Sequence, residues 1–180
     1  MNKAYAFFCR AYQTVFRAAL PILPYREPVQ LDGLASIVPL LTEKEISSVL
    51  LVTDASVRAY EQEVVRLVNA ERAKHGLAAL TEDWELSRVA RYKSQDMHDN
   101  RYFAHNSPTY GTPFRMLRAF GLSYRTAGEN IAMGYAAPAA VVAGWMNSEG
   151  HRANILSSAY TKIGVGYVAD GHYWTQQFIG

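Results

Sequence analysis

Two histidines and two carboxylates, spread over about fifty residues of this 180-residue chain, are the side chains whose types could do chemistry together. They lie in three polar runs: Phe103-Ala104-His105-Asn106-Ser107-Pro108, Gly128-Glu129-Asn130 and Ser148-Glu149-Gly150-His151-Arg152. Brought into one pocket, they could hold a divalent metal or move a proton. Two neutral imidazoles with a carboxylate are the usual makings of an open zinc site, so His105 and His151 are candidate ligands. Glu129 reads equally as a general base and as a buried carboxylate that holds loops by accepting N–H groups. The spacing is not diagnostic, because no His-Glu-x-x-His helix signature is present. Glu149 reads as solvent-facing, and Ser148 as the cap of a helix from Arg152 to Leu156. Ser107 and Ser148 sit in no nucleophile elbow and read as turn or cap hydroxyls. Asn130, Asn147 and Asn154 read as turn and cap residues.

The elements that must position these groups follow from periodicity. Val57, Tyr60, Val64, Leu67, Val68 and Glu71 trace one helical face, and Gly76 supplies its stop. A second helix is expected from Asp83 to about His98, with Leu86, Val89, Ala90, the Lys93 stem and Met97 inward. Thr112-Pro113 is an N-cap followed by a first-turn proline, and the short helix it opens ends at Gly121. Pro138 opens another helix, through Trp145. Ile163–Ala169 and His172–Ile179 flank Asp170-Gly171, a hairpin signal. Several helices around a small antiparallel sheet make an α+β layered domain. Trp145, Tyr135, Tyr124, Tyr167, Tyr173 and Trp174 are mostly core, with some available to line a cleft for an apolar or glycan ligand.

Hydrophobic residues at 49% and charged residues at 19% are enough to bury a core and exclude a disordered tail. A net charge of +2, with Lys and Arg scattered, argues against a nucleic-acid partner. Cys9 is the only cysteine, so an intrachain disulfide is excluded. No run approaches the roughly 18 apolar residues of a transmembrane segment.

Residues 1–55 read as a separate N-terminal segment and 56–180 as the main domain. The segment has a helical opening from Ala4 to Leu20, a Pro-broken stretch and a second helical stretch from Gly33 to Glu45. Ser48–Asp54 then reads as a buried strand without parallel partners. Lys3, Arg10 and Arg17 precede no clean apolar core with a cleavage site, so no signal peptide is expected. Ala11–Phe16, Leu23–Pro28 and Val49–Asp54 resemble the start of iron-containing alcohol dehydrogenases. That family's nucleotide loop and metal ligands have no counterpart here, so no dehydrogenase residue or activity carries over.

The stretch from about Tyr60 to Phe178 resembles bacterial members of the CAP superfamily, which groups cysteine-rich secretory proteins, antigen 5 and pathogenesis-related proteins. The resemblance rests on Leu67-Val68-Asn69-Ala70-Glu71-Arg72, Trp84-Glu85-Leu86 and Tyr102-Phe103-Ala104-His105-Asn106-Ser107-Pro108. Gly128-Glu129-Asn130-Ile131-Ala132, Trp145 to Leu156 and Ile163-Gly164-Val165-Gly166 complete it, in order. It implies an α-β-α sandwich with a central cleft, whose family residues fall on His105, Glu129 and His151. A fourth cleft position, glutamate in many relatives, falls on Ser148, with the carboxylate one step later at Glu149. Members are mostly extracellular or of the cell envelope. The resemblance favours a binding module for a small apolar, sterol-like or peptide ligand or a cell-envelope component, with Zn or another divalent metal optional. The alternative is a metal-assisted hydrolase with His105 and His151 as ligands and Glu129 as base.

Overall fold

A computed structural model of the chain describes the backbone from residue 43 and the side chains from residue 55 through the C-terminus. The chain divides into compact units, Met1–Thr53 and Asp54–Gly180. Of the first, the expected helices at Ala4–Leu20 and most of Gly33–Glu45 lie outside the described residues. So do Ala11–Phe16 and Leu23–Pro28, the first two stretches that resemble alcohol dehydrogenases. The expected strand at Ser48–Asp54 is corrected: these residues are helical, within α1 (Glu43–Lys74). A short apolar run has no periodicity that separates strand from buried helix. A helix also satisfies its own backbone, which a strand without partners cannot.

The second unit begins with the rest of α1 and continues as β1 (Thr81–Glu82), α2 (Trp84–Asp99), α3 (Pro113–Ala119) and β2 (Ala127–Ala132). It ends with α4 (Pro138–Asn147), α5 (Glu149–Ile155), β3 (Lys162–Val168) and β4 (Tyr173–Ile179). Capping chemistry sets several of these boundaries. The Asp83 carboxylate accepts the Leu86 N–H at 3.1 Å to start α2, and the Thr112 hydroxyl accepts the Arg115 N–H at 3.2 Å to start α3. The β3–β4 hairpin turns through Ala169–His172, where Gly171 and His172 both adopt positive φ.

The sheet order is β1-β3-β4-β2, with β2 at one edge. β3–β4 and β4–β2 are antiparallel, and the two-residue β1 adds a parallel pair that no periodicity announces. Because side chains alternate across a strand, the sheet presents two different faces. One face, with Ile163, Val165, Trp174 and Phe178, meets Val64 and Val68 of α1, Val141 and Trp145 of α4, and Ile155 of α5. The other carries Ile179 against Leu86, Val89, Met116 and Leu117 of α2 and α3. The result is an α+β sandwich with helices on both sides of the sheet.

The α2 face depends on two glycines. A Cβ on Gly164 would stand 2.3 Å from the Leu86 carbonyl carbon, and one on Gly166 would stand 2.2 Å from that of Ala90. Helix backbone therefore rests directly on strand backbone. Polar pins surround the contact: Ser94 Oγ donates to Gly166 O at 3.1 Å and accepts from the Thr175 hydroxyl at 2.9 Å. Fully buried Glu61 of α1 binds Arg91 of α2 through two bonds of 2.7 and 2.6 Å. At the C-terminus of α1, buried Arg72 donates to the carbonyls of Ala78, Ile155 and Ser157 at 2.9, 2.8 and 2.7 Å.

Candidate functional site

Strand β2 sits at the sheet edge and sends alternate side chains to opposite faces. Glu129 faces the α2 side, opposite Gln177 in the register, and Asn130 faces the α5 side, opposite Gln176. One strand therefore brackets both helical layers, and a candidate histidine comes from each.

On the α2 side, His105 Nδ1 lies 2.8 Å from Glu129 Oε1; the imidazole is 51% exposed and the carboxylate only 2%. Gln177 Nε2 donates to the other oxygen, Oε2, at 3.1 Å. A carboxylate oxygen can only accept, so His105 carries its proton on Nδ1 and presents the Nε2 lone pair outward when neutral. The loop bearing His105 is held from beneath. Lys93, fully buried on α2, donates to Tyr102 Oη at 2.9 Å and to the carbonyls of Ala104 and His105 at 2.7 and 2.8 Å. Asp96, one turn further along α2, accepts from Tyr102, from Ser107 Oγ at 2.7 Å, from Thr109 Oγ1 at 2.6 Å and from Asn100 Nδ2 at 2.7 Å. Burial pulls the Lys93 ammonium below the ordinary lysine range, while the negative charges of Glu129 and Asp96 oppose that fall. The Tyr102 phenol is pushed well up, first by burial and then by its bond to Asp96.

On the α5 side the partners are neutral amides. Asn130 Nδ2 donates to the His151 carbonyl at 3.1 Å and to Gln176 Oε1 at 2.9 Å. Asn154 Nδ2 donates to Asn130 Oδ1 at 2.8 Å and to the Glu129 carbonyl at 3.3 Å. Burial lowers the His151 imidazole from its ordinary value, and the charge of His105 lowers it further.

The structure thus joins His105 directly to Glu129, and ties His151 to the same strand through its backbone carbonyl, which accepts from Asn130. Glu149 is exposed in the first turn of α5. Ser148 stands at the N-cap position of α5, but the expected side-chain cap is absent. It also ends α4, its N–H going to Trp145 O at 3.1 Å and its carbonyl accepting from Arg152 at 2.8 Å. Asn130 and Asn154, expected in turns and caps, instead lie in a strand and a helix as the amide bracket. Lys93 was legible only as an inward stem and Tyr102 only as the start of a family motif, while Asp96 and Gln177 were not singled out. The available signal was two charges on the otherwise apolar face of α2, where unpaired charges are rarely tolerated.

The donor set fits a resident metal poorly. His105 Nδ1 and both Glu129 oxygens are engaged within the protein. Among the described residues, no three His, Cys, Asp or Glu side chains gather as a metal-binding group. Two surface hollows, of about 270 and 290 Å³, are lined by other residues, the second by Leu67, Glu71, Val142 and Met146 between α1 and α4. No described helix is long and apolar enough to cross a membrane.

The chain is 63% identical over 126 residues to the uncharacterized protein YkwD of Bacillus subtilis (strain 168), covering 70% of this chain and 49% of that protein. It is 45% identical over 119 residues to the uncharacterized membrane protein YlbC of the same organism, covering 66% and 34%. The chain therefore spans half or less of the length of these relatives. An extracellular protein containing an SCP domain from Bacillus anthracis str. Ames superposes with a TM-score of 0.66 at 34% identity, covering 92% of this chain and 49% of that one. An outer surface protein of Borrelia burgdorferi shares the fold, with a TM-score of 0.59 at 24% identity over 64% of this chain and 87% of its own. The likeness of the opening residues to alcohol dehydrogenases finds no support in these matches. The model of the cysteine-rich secretory protein family matches residues 65–178, and on that span the chain belongs to the CAP family.

Proposed function

We propose that this CAP domain is a ligand-binding module acting outside the cytoplasm, in the cell envelope or beyond it. In this reading the cleft over β2 takes a small apolar, sterol-like or peptide ligand, or a cell-envelope component, against His105, Glu129 and His151. The observation that carries it is the buried carboxylate beneath a half-exposed imidazole. Glu129 fixes the ring, and the ring offers Nε2 to a polar group on a bound molecule. An imidazole oriented this way can accept a hydrogen bond when neutral and donate one when protonated. The extracellular description of the Bacillus anthracis relative supports the compartment.

The hydrolase alternative has in its favour that burial, and then the charge of His105, favour the neutral form of His151 that a metal would need. It lacks a nucleophile from the same loop, because Ser107 Oγ is occupied, donating to Asp96 and accepting from the N–H groups of Thr109 and Tyr110. No step through a metal is derived.

The two readings separate in one set of titrations on histidine-labelled full-length protein. Cholesterol sulfate and a tetra-alanine peptide serve as probes, with NMR signals of both imidazoles as the readout. Binding at the cleft shifts His105 and His151. If saturating probe leaves both imidazole signals unmoved and shifts instead the methyl signals of Leu67 and Met146 in a methyl-labelled sample, the binding site is the α1–α4 hollow and the cleft reading fails. Zinc affinity and ester hydrolysis that both disappear in a His105→Ala/His151→Ala variant would replace it with the hydrolase.

A further inference from the structure

Lys93 is a costly residue to bury. Removing an ammonium from water carries a large penalty, and an apolar side chain of similar volume often stabilises such a position better. Its surroundings show what the charge holds. All three ammonium protons have acceptors, and two of those are the consecutive carbonyls of Ala104 and His105. The stretch they belong to is exposed from Phe103 to Asn106. Among the described residues, its backbone hydrogen bonds lie only at its ends. Tyr102 N–H reaches Met97 O at 3.1 Å, and Ser107 pairs with Gly111 at 2.8 and 2.9 Å. Between those ends, Lys93 is the tether.

The third proton goes to Tyr102 Oη, which donates onward to Asp96. That order fixes the direction of the chain: ammonium to phenol to carboxylate. Asp96 in turn holds Ser107 and Thr109 beyond the histidine. Lys93 grips the loop at His105 itself, and Asp96 grips it on both flanks. Glu129, the side-chain partner of His105, also acts on the Lys93 charge.

We propose that Lys93 is the positioning residue of the cleft, its buried ammonium clamping the His105 backbone so that Nδ1–H meets Glu129 and Nε2 faces outward. Without the clamp, the carbonyls of Ala104 and His105 lose their buried donor and the ring can leave the carboxylate. The inference deepens the cleft reading by naming what pre-organises its exposed imidazole, and it rests on that reading only for its relevance to ligand. Its test needs no ligand.

The protein is compared as wild type, Lys93→Met and Tyr102→Phe by long-range ¹H–¹⁵N NMR of the imidazoles, which distinguishes Nδ1–H from Nε2–H tautomers. Wild type is expected to show His105 as a single Nδ1–H species. Lys93→Met, with His151 signals still native-like, is expected to lose that species in favour of mixed tautomers. Tyr102→Phe, which keeps both carbonyl contacts, is expected to leave the His105 tautomer unchanged. A folded Lys93→Met with an unaltered His105 pattern overturns the proposal.

Should Lys93→Met fail to fold, the wild-type protein still decides. Lys93 ¹⁵Nζ should show couplings across its hydrogen bonds to the carbonyl carbons of Ala104 and His105. An ammonium that exchanges freely with water and shows neither coupling overturns it equally. Failure of the sterol or peptide probes to bind leaves these results untouched, so the two readings fail separately.

Discussion

The two histidines of the cleft are held by opposite kinds of chemistry. His105 stands over buried charges, with Lys93, Asp96 and Glu129 all withdrawn from solvent. His151 is carried by a helix that neutral amides, Asn130, Asn154 and Gln176, tie to the sheet edge. Charges in a low-dielectric setting act strongly on both the position and the protonation of a neighbour, and their loss is felt as an unpaired ion. Amides fix position with little field and tolerate loss better. The charged side tunes a group, and the amide side places one.

That contrast can be broken most forcefully at Asp96. Asp96→Ala leaves four donors without their acceptor and takes away a buried negative charge that favours the Lys93 ammonium, and loss of such a compensating buried charge costs about 3–5 kcal/mol. The midpoint of urea unfolding measures it. Asn130→Ala, the matching cut on the amide side, leaves neutral groups unsatisfied and is expected to cost about 1–3 kcal/mol by the same assay. Equal losses would erase the distinction. Tyr102→Phe removes one link and leaves Asp96 three other donors, so a loss of about 1 kcal/mol is expected.

The smallest effect is the most specific. Burial and the charge of His105 hold His151 below its ordinary value. NMR titration should place it there, and His105→Gln should return it part of the way. The sign for stability follows. The unfolded chain protonates His151 first, near pH 6.5, so its contribution is intact above that pH and is lost as pH falls toward the folded value. Unfolding midpoints compared at pH 7 and pH 5 should show this loss, and His151→Gln should reduce it. A His151 that titrates normally would mean that the two sides of the cleft do not sense each other.

Much of this arrangement was legible in the chain, and what was not has physical causes. Asp83 and Thr112-Pro113 declare helix starts because capping is local chemistry, and Asp170-Gly171 marks its hairpin for the same reason. The inward face of α2 was legible through Met97 because a helix repeats its faces. The period says which side chains turn inward, not what they meet. Lys93 was therefore readable as a buried stem, while its partners Ala104 and His105 depend on a loop path that no pattern encodes. Gln177 meets Glu129 from 48 residues away through strand register alone. Ser48–Asp54 misled because an apolar run without its neighbours is compatible with either regular structure.

The two glycines of β3 have a consequence for precision. Gly164 meets Leu86 and Gly166 meets Ala90. Two residues along a strand advance about 6.6 Å, and four along a helix about 6 Å. The two lattices therefore mesh like the scales of a vernier, coinciding at both glycines and leaving no tolerated slip of a residue in either direction. A ruler zeroed at Leu86 and Ala90 reads out about one turn later at Lys93 and about two turns later at Asp96. The imidazole at the rim inherits its accuracy from two missing methyl groups in the floor.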